Sequence, residues 1–376
     1  MQNKKINEEN LAHRNPIKRI FDLYTSDLSY QEIEKLIKQE ASEVYEFFKS
    51  DIPKPDPSKN KFIRGLIFLR SLFNAFILRL SPARRIFYLI AVFFFIVSYS
   101  EPNSFYLLLS FIILNLLLAF ELADKLTAKS ELEIARKIQF DLIPKHSPQI
   151  KDYQISTYYE PAREVGGDYF DVIETKEKSY IIVGDISGKG MAAALYMVRV
   201  QSIIYFLLDY YSDIKDIIIN LKKYFSKNLR KEFFLTISIS SIEKDGKIKF
   251  VKGGHPPALL YKYNQKEFIE INPSGIAIGI NDKGLFEKTL EEVQINPEIN
   301  DIIIIYSDGV TETMNIFKNL FGLENIKKVV ERNADKSAEE IKEALLKSII
   351  SFRGNAPQND DLTLVVIKRN HSVSST

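Results

Sequence analysis

Cysteine is absent from all 376 residues of the chain. That excludes a disulfide framework, thiolate metal sites and any hydrolase built on a cysteine nucleophile. It does not fix a compartment, because a cysteine-free chain fits a reducing cytosol without requiring one. Histidine is almost as scarce, with only His13, His146, His255 and His371. A histidine-rich zinc site is therefore not expected, and metal chemistry must run on carboxylates. Net charge is lacking too: 51 basic against 49 acidic residues leave a formal +2 and no long basic tail, so no nucleic-acid partner is expected. The polar, charged N terminus lacks the apolar stretch of a signal peptide. What remains, 45% hydrophobic and 27% charged, is the composition of a folding protein long enough for one large domain plus accessory segments.

Charge is uneven along the chain. Lys61, Arg64, Arg70, Arg79, Arg84 and Arg85 follow one another with no acidic residue between them. Residues 1–50 read as a polar helical segment: Ser29 and Glu32 have capping-box spacing, and Ile33, Leu36, Ile37, Ala41, Val44 and Phe48 recur at helical intervals. Three prolines make residues 51–60 a linker. Phe62 to Leu80 is apolar but basic, which suits an amphipathic helix at a membrane interface or a buried helix in a small bundle.

Two nearly uncharged runs follow, Ile86 to Ser100 and Phe105 to Phe120. Each falls short of the ~20 residues that cross a bilayer, but flanking residues lengthen both. Residues 61–123 are thus expected to hold the basic helix and a two-helix membrane hairpin. The alternative is a hydrophobic hairpin buried in a soluble protein or lying within one leaflet. Arg84 and Arg85 before the pair, with Lys125 and Lys129 after it, place both termini in the cytoplasm and leave the short turn outside. The expected location is the cytoplasmic membrane. Ala128, Leu132, Ala135, Ile138 and Leu142 then mark residues 124–144 as an amphipathic connecting helix ended by Pro144. It is long enough to pair with a second copy, so a homodimer is a further expectation, although two heptads are too few to assert a coiled coil.

Residues 145–369 alternate short β-rich segments with helices, and residues 370–376 read as a disordered tail. Strands are expected at 153–159, 169–173, 180–186, 235–242, 247–251, 258–263, 285–293, 302–306 and 362–367, and helices at 191–210, 213–228, 323–333 and 338–352. Asp245-Gly246 suits a hairpin turn. Long helices inserted among many strands indicate an α+β fold, a central antiparallel β-sandwich flanked by helices, rather than a βαβ winding.

Four acidic clusters lie beside β segments: Glu164-Val-Gly-Gly-Asp168-Tyr-Phe-Asp171, Gly184-Asp185-Ile-Ser-Gly-Lys-Gly190, Tyr306-Ser-Asp308-Gly309 and Asn359-Asp360-Asp361-Leu-Thr363. A single Asp-Gly is usually a turn. Four acids at strand ends can instead converge, and converging carboxylates repel unless cations neutralise them. An all-oxygen set suits Mg2+ or Mn2+, and a pair of such ions can activate a water against a phosphoryl group. The Gly184 to Gly190 stretch fails the P-loop spacing, because Val183 and Gly190 occupy the positions of the first Gly and of Ser/Thr.

The order of these clusters resembles the PPM (type 2C) protein phosphatases, in the bacterial SpoIIE/RsbU-like branch. Glu133 to Pro144, Gly253-Gly-His-Pro-Pro-Ala258 and Pro273 to Gly279 extend the resemblance over approximately residues 131–368. It implies two divalent cations, Mn2+ or Mg2+, bridged by Asp185. Asp308 and Asp360 complete one site, and Asp168 with the Ile186 carbonyl completes the other. Asp361 orients its neighbour and Asp171 is structural. Arg163 lies roughly where eukaryotic relatives bind phosphate. Those relatives carry a histidine, a proposed general acid, where this chain has Ser187. His255 reads first as a turn residue that packs or hydrogen-bonds locally.

The implied function is hydrolysis of phosphoserine or phosphothreonine on a protein, with a STAS-type anti-sigma-factor antagonist in a partner-switching pathway as the expected substrate. The alternative is a catalytically inactive, membrane-bound binding module of the same fold.

Overall fold

The computed structural model of the protein describes residues 60–100, 104–144, 150 and 152–370. The expected helix, linker, turn and tail at residues 1–59, 101–103 and 371–376 lie outside the described residues. The chain divides into two compact units, Met1–Lys125 and Leu126–Thr376.

The first unit holds α1 (Lys61–Arg79), α2 (Pro82–Ser100) and the start of α3 (Ser104–Leu142). Proline opens α2 where its missing N–H costs nothing, and the helix reaches 19 residues, longer than the uncharged run alone. Apolar run and amphipathic segment are not separate helices: α3 is continuous over 39 residues. Its two halves differ only in which side chains they present. The small Ala91 is fully buried and lets α3 approach α2, with the Ser110 hydroxyl donating to the Ala91 carbonyl at 2.8 Å. Phe94 and Tyr106 stack at 6.0 Å. Arg84 pairs with Glu121 and Asp124 at 2.9 and 2.7 Å. Elsewhere α2 and α3 expose aromatic and aliphatic side chains, among them Phe93, Phe95, Phe111 and Leu118.

Among the described residues, three helices are long and apolar enough to cross a membrane: α2, α3 and α4 (Met191–Leu208). The last differs physically. Ala193, Met197, Val200, Ile204 and Leu207 are fully buried against strands, so its apolar character belongs to a protein core.

The second unit is a sandwich of two five-stranded antiparallel sheets. One has the order β1 (Tyr153–Glu160), β10 (Leu362–Arg369), β9 (Ile302–Tyr306), β6 (Ala258–Lys262), β7 (Glu267–Ile271). The other runs β2 (Asp168–Glu174), β3 (Ser179–Ile186), β4 (Leu235–Ile242), β5 (Ile248–Gly253), β8 (Val293–Ile295). Strand alternation explains why β9 is apolar at all five positions. Ile303 and Ile305 enter the core between the sheets, while Ile302, Ile304 and Tyr306 face α8 (Gly322–Arg332) and α9 (Ala338–Arg353). On the opposite side, α4 and α5 (Ile214–Phe225) cover the second sheet. Asp213 caps α5 by accepting from the Lys215 and Asp216 amides, and Ser337 and Glu340 form a capping box at α9.

Two expectations fail locally. Residues 285–293 do not form one strand: Phe286–Thr289 is a short helix, α6, and only Val293–Ile295 pairs with β5. Phe286 and Leu290 have helical i, i+4 spacing and are buried together, while the Asp282 carboxylate accepts from the Phe286 amide at 3.0 Å. Edge strand β7 was not anticipated, because its glutamates disguise a segment that takes its hydrogen bonds from β6 on one side only.

Asp301 fixes the start of β9. Its buried carboxylate accepts from Lys262 Nζ at 2.8 Å and from the Tyr263 and Glu298 amides at 2.9 and 2.7 Å. Asp301→Ala strands two amides and an ammonium, and is expected to cost roughly 3 kcal/mol in denaturant unfolding of the full chain in detergent. Asp301→Asn should retain part of that loss.

Candidate metal centre

Strand pairing alone brings the first two acids together. Asp168 opens β2, Asp185 lies near the end of β3, and the two are direct cross-strand partners. The other sheet contributes from two adjacent strand ends. β9 stops at Tyr306, so Ser307 and Asp308 start a short helix, α7 (Asp308–Thr311), where none was expected, and β10 begins just after Asp360 and Asp361. The Ser307 amide donates to the Thr363 carbonyl at 3.0 Å, and the Ser307 hydroxyl to the Asp361 carbonyl at 3.3 Å. The Thr363 hydroxyl then spans the sheets, donating to Asp168 Oδ2 at 2.6 Å.

Crowding shows in the electrostatics. Burial, reinforced by Asp185 and Asp361, holds the Asp168 carboxyl well above its ordinary range, with the Thr363 hydrogen bond in partial compensation. Asp185 is pushed up to about 7 by burial and then by Asp308 and Asp360. Asp308 is raised by burial, Asp360 and Glu312, and pulled back by the Gly309 amide and Lys189. With Asp360, which raises two of them, these three are the carboxyls the sequence singled out.

Asp361 is placed differently. Its Oδ1 accepts from the Ala162 amide at 2.7 Å, and its Oδ2 from the Gly167 and Asp168 amides at 2.6 and 3.3 Å. The carboxylate is committed to backbone, where it anchors the loop that delivers Asp168. Asp171 is buried under the Tyr169 hydroxyl at 3.2 Å and the Val172 amide at 2.9 Å. The Ile186 carbonyl lies against Gly167, where a Cβ would come within 2.9 Å of it. Arg163 is exposed, with its guanidinium 3.7 Å from the position a Gly190 Cβ would take. The Ser187 hydroxyl is engaged by the Phe234 amide at 2.8 Å. His255 is buried and shares a 3.0 Å hydrogen bond with Thr236, the cross-strand partner of Asp185. Burial and the Lys252 charge hold its pKa down at about 3, so the imidazole is neutral at physiological pH.

Sequence reasoning missed two groups. Lys189 Nζ pairs with Asp360 Oδ2 at 2.8 Å. The buried Gln139 of α3 clasps the Gly166 peptide, donating to its carbonyl at 2.8 Å and accepting from its amide at 3.1 Å. Both residues lie inside recognised motifs, but only folding assigns their partners.

As the side chains stand, no three His or acidic groups among the described residues are arranged to hold one ion. Asp168 is turned to Thr363 and Asp360 to Lys189. The donor chemistry nonetheless fits a hard divalent cation: every group is an oxygen donor, and Asp308 and Asp360 raise the proton affinity of Asp185 as Asp360 does that of Asp308, which is the repulsion such a cation relieves.

Residues 175–370 match the family model for stage II sporulation protein E (SpoIIE). The chain belongs to the SpoIIE family. Its second unit is therefore a phosphatase domain of the bacterial PPM/PP2C branch. The matched span includes Asp185, Asp308 and Asp360 and begins after Asp168. Phosphoserine phosphatase RsbU of Bacillus subtilis is 28% identical over 247 residues, which cover 64% of this chain and 70% of RsbU. Phosphoserine phosphatase RsbP of the same organism is 25% identical over 251 residues, 65% of this chain and 59% of RsbP. The SiaA-PP2C domain of Pseudomonas aeruginosa has the same fold, with a TM-score of 0.58 at 17% identity over 66% of this chain and 98% of that domain.

A carboxyl whose folded-state pKa is raised gives stability that is complete below its unfolded value, about 4, and is lost as pH climbs through about 7. In chelator, the SpoIIE-family chain should therefore melt at a lower temperature at pH 8 than at pH 5. Asp185→Asn should narrow that difference, and an unchanged gap would contradict the electrostatic account. A second expectation concerns Gly309, where a Cβ would stand 2.0 Å from the Asp361 carbonyl. Gly309→Ala must displace the Asp360 and Asp361 segment and should cut activity at least tenfold while leaving far-UV circular dichroism unchanged.

Proposed function

We propose that this SpoIIE-family phosphatase is a membrane-anchored enzyme that hydrolyses phosphoserine or phosphothreonine on a protein. The observation that carries the reading is the convergence of Asp168, Asp185, Asp308 and Asp360, remote in sequence, at one rim of the sandwich, where Asp308 and Asp360 raise the proton affinity of Asp185. Similarity to two phosphoserine phosphatases, over 64% and 65% of the chain, supports it.

Asp185 would contact both of two divalent cations, Mn2+ or Mg2+, with Asp308 and Asp360 on one and Asp168 and the Ile186 carbonyl on the other. When bound, the pair supplies the Lewis acidity that activates a water and polarises the phosphoryl group. The chain's own residues do the positioning. Thr363 and Asp361 fix Asp168 and its loop from the facing sheet. Ser307 locks the end of β9 to β10 and so sets the spacing of Asp308 from Asp360. His255, neutral and buried, does not protonate the leaving group, and the Ser187 hydroxyl faces a backbone amide. Arg163 is the proposed contact for substrate.

The exposed apolar surfaces of α2 and α3 support a membrane hairpin, with Arg84, Arg85, Lys125 and Lys129 on the cytoplasmic side. The proposed substrate is a phosphorylated STAS-type anti-sigma-factor antagonist in a partner-switching pathway, with pairing of α3 between two copies as the route to a homodimer.

Full-length protein in detergent should release phosphate from a phosphoserine protein only with Mn2+ or Mg2+ present. Asp185→Asn and Asp308→Asn should each lower turnover at least a thousandfold. Retention of activity by either variant would refute the assignment of the site.

A further inference from the structure

We propose that Lys189 is a phosphate-binding residue of this site, and that its ion pair with Asp360 is the contact a divalent cation displaces. The inference deepens the phosphatase reading and rests on it.

Lys189 sits between Gly188 and Gly190, both with left-handed backbone (φ 95° and 76°). This turn joins β3, which carries Asp185, to α4. The side chain crosses from there to the other sheet, where Nζ lies 2.8 Å from Asp360 Oδ2 and also donates to the Asn359 carbonyl. Lysine and aspartate side chains are 38% and 34% exposed, so the ammonium stands at the mouth of the acid cluster in contact with solvent. Its field reaches a second acid, because it offsets part of the rise at Asp308. The Arg163 guanidinium overhangs Gly190, the next residue. Two cations therefore share one lip of the cluster.

Charge explains why the lysine has two partners in turn. Among four close carboxyls, one ammonium is an incomplete counter-ion, and a solvent-exposed ion pair of this kind is weak. A divalent cation that takes Asp360 as a ligand removes the ammonium's partner without moving the Lys189 backbone. Two such cations would balance Asp168, Asp185, Asp308 and Asp360, leaving the Lys189 and Arg163 charges uncompensated beside them. That is a site for the dianion of a phosphate monoester. A lysine ammonium is a compact point charge on a flexible stem, able to swing from carboxylate to phosphate within one side-chain length.

The two roles predict opposite signs, which makes them separable from a plain surface ion pair. Full-length Lys189→Ala and Lys189→Met in detergent should bind Mn2+ about two- to fivefold more tightly by calorimetric titration, the size of the lost competing pair. In the same variants, KM for p-nitrophenyl phosphate and the inhibition constant for inorganic phosphate should rise about tenfold, with kcat changed less. Lys189→Arg should restore both phosphate parameters. Weaker Mn2+ binding in the alanine and methionine variants would make Lys189 a scaffold for Asp360 and overturn the proposal, as would an unchanged phosphate constant. A wild-type chain that binds Mn2+ but hydrolyses nothing would instead refute the phosphatase reading. Calorimetry of inorganic phosphate on the Mn2+-loaded wild type and Lys189→Ala would still decide the role of Lys189.

Discussion

Negative charge is concentrated where the two sheets meet at one rim, and the second unit is built to tolerate it. Asp168 and Asp185 are neighbours by strand register, so no side-chain rotation separates their backbones. Asp308 and Asp360 arrive from the ends of strands in the other sheet and raise the proton affinity of Asp185 further. Left in water-poor surroundings, such a group prefers to hold protons. The protein compensates with a hydroxyl from Thr363, backbone amides around Asp361 and the Lys189 ammonium. A destabilised cluster of this kind would suit a cation for the same reason that it is a poor structural element.

Rigid strands supply the precision that loops would not. β9 is buried on both faces, so its register, and hence the place where Ser307 and Asp308 leave the sheet, is fixed by two separate cores. Close backbone approach does the rest. Gly309 lies against the Asp361 carbonyl and Gly167 against the Ile186 carbonyl, so any larger side chain would push apart the segments that carry the acids.

The end of α3 is joined to this machinery by two buried glutamines. Gln139 holds the Gly166 peptide ahead of Asp168, and Gln201 of α4 donates to the Leu142 carbonyl at 2.7 Å. The connecting helix expected from residue 124 continues the helix that begins at Ser104, with apolar residues before Lys125 and amphipathic ones after it. Continuity is reasonable: no proline or glycine interrupts α3 before Pro144.

The sequence by itself determined the chemistry available to this protein. Without cysteine, and with four histidines, it had oxygen ligands to work with, and Asp168, Asp185, Asp308 and Asp360 announced themselves by standing at the ends of apolar β segments. Helices α4, α5, α8 and α9 and most strands were legible because their periodicity is strong. Residues 285–293 and β7 were not, because a buried i, i+4 pair and an edge pairing outweigh local propensity there. Tertiary structure alone decided which acids remain available and which are consumed. Asp360 and Asp361 are adjacent and chemically identical, yet one faces Lys189 and the other is spent on three backbone amides. That difference depends on groups up to 199 residues away in the chain, and no local pattern encodes it.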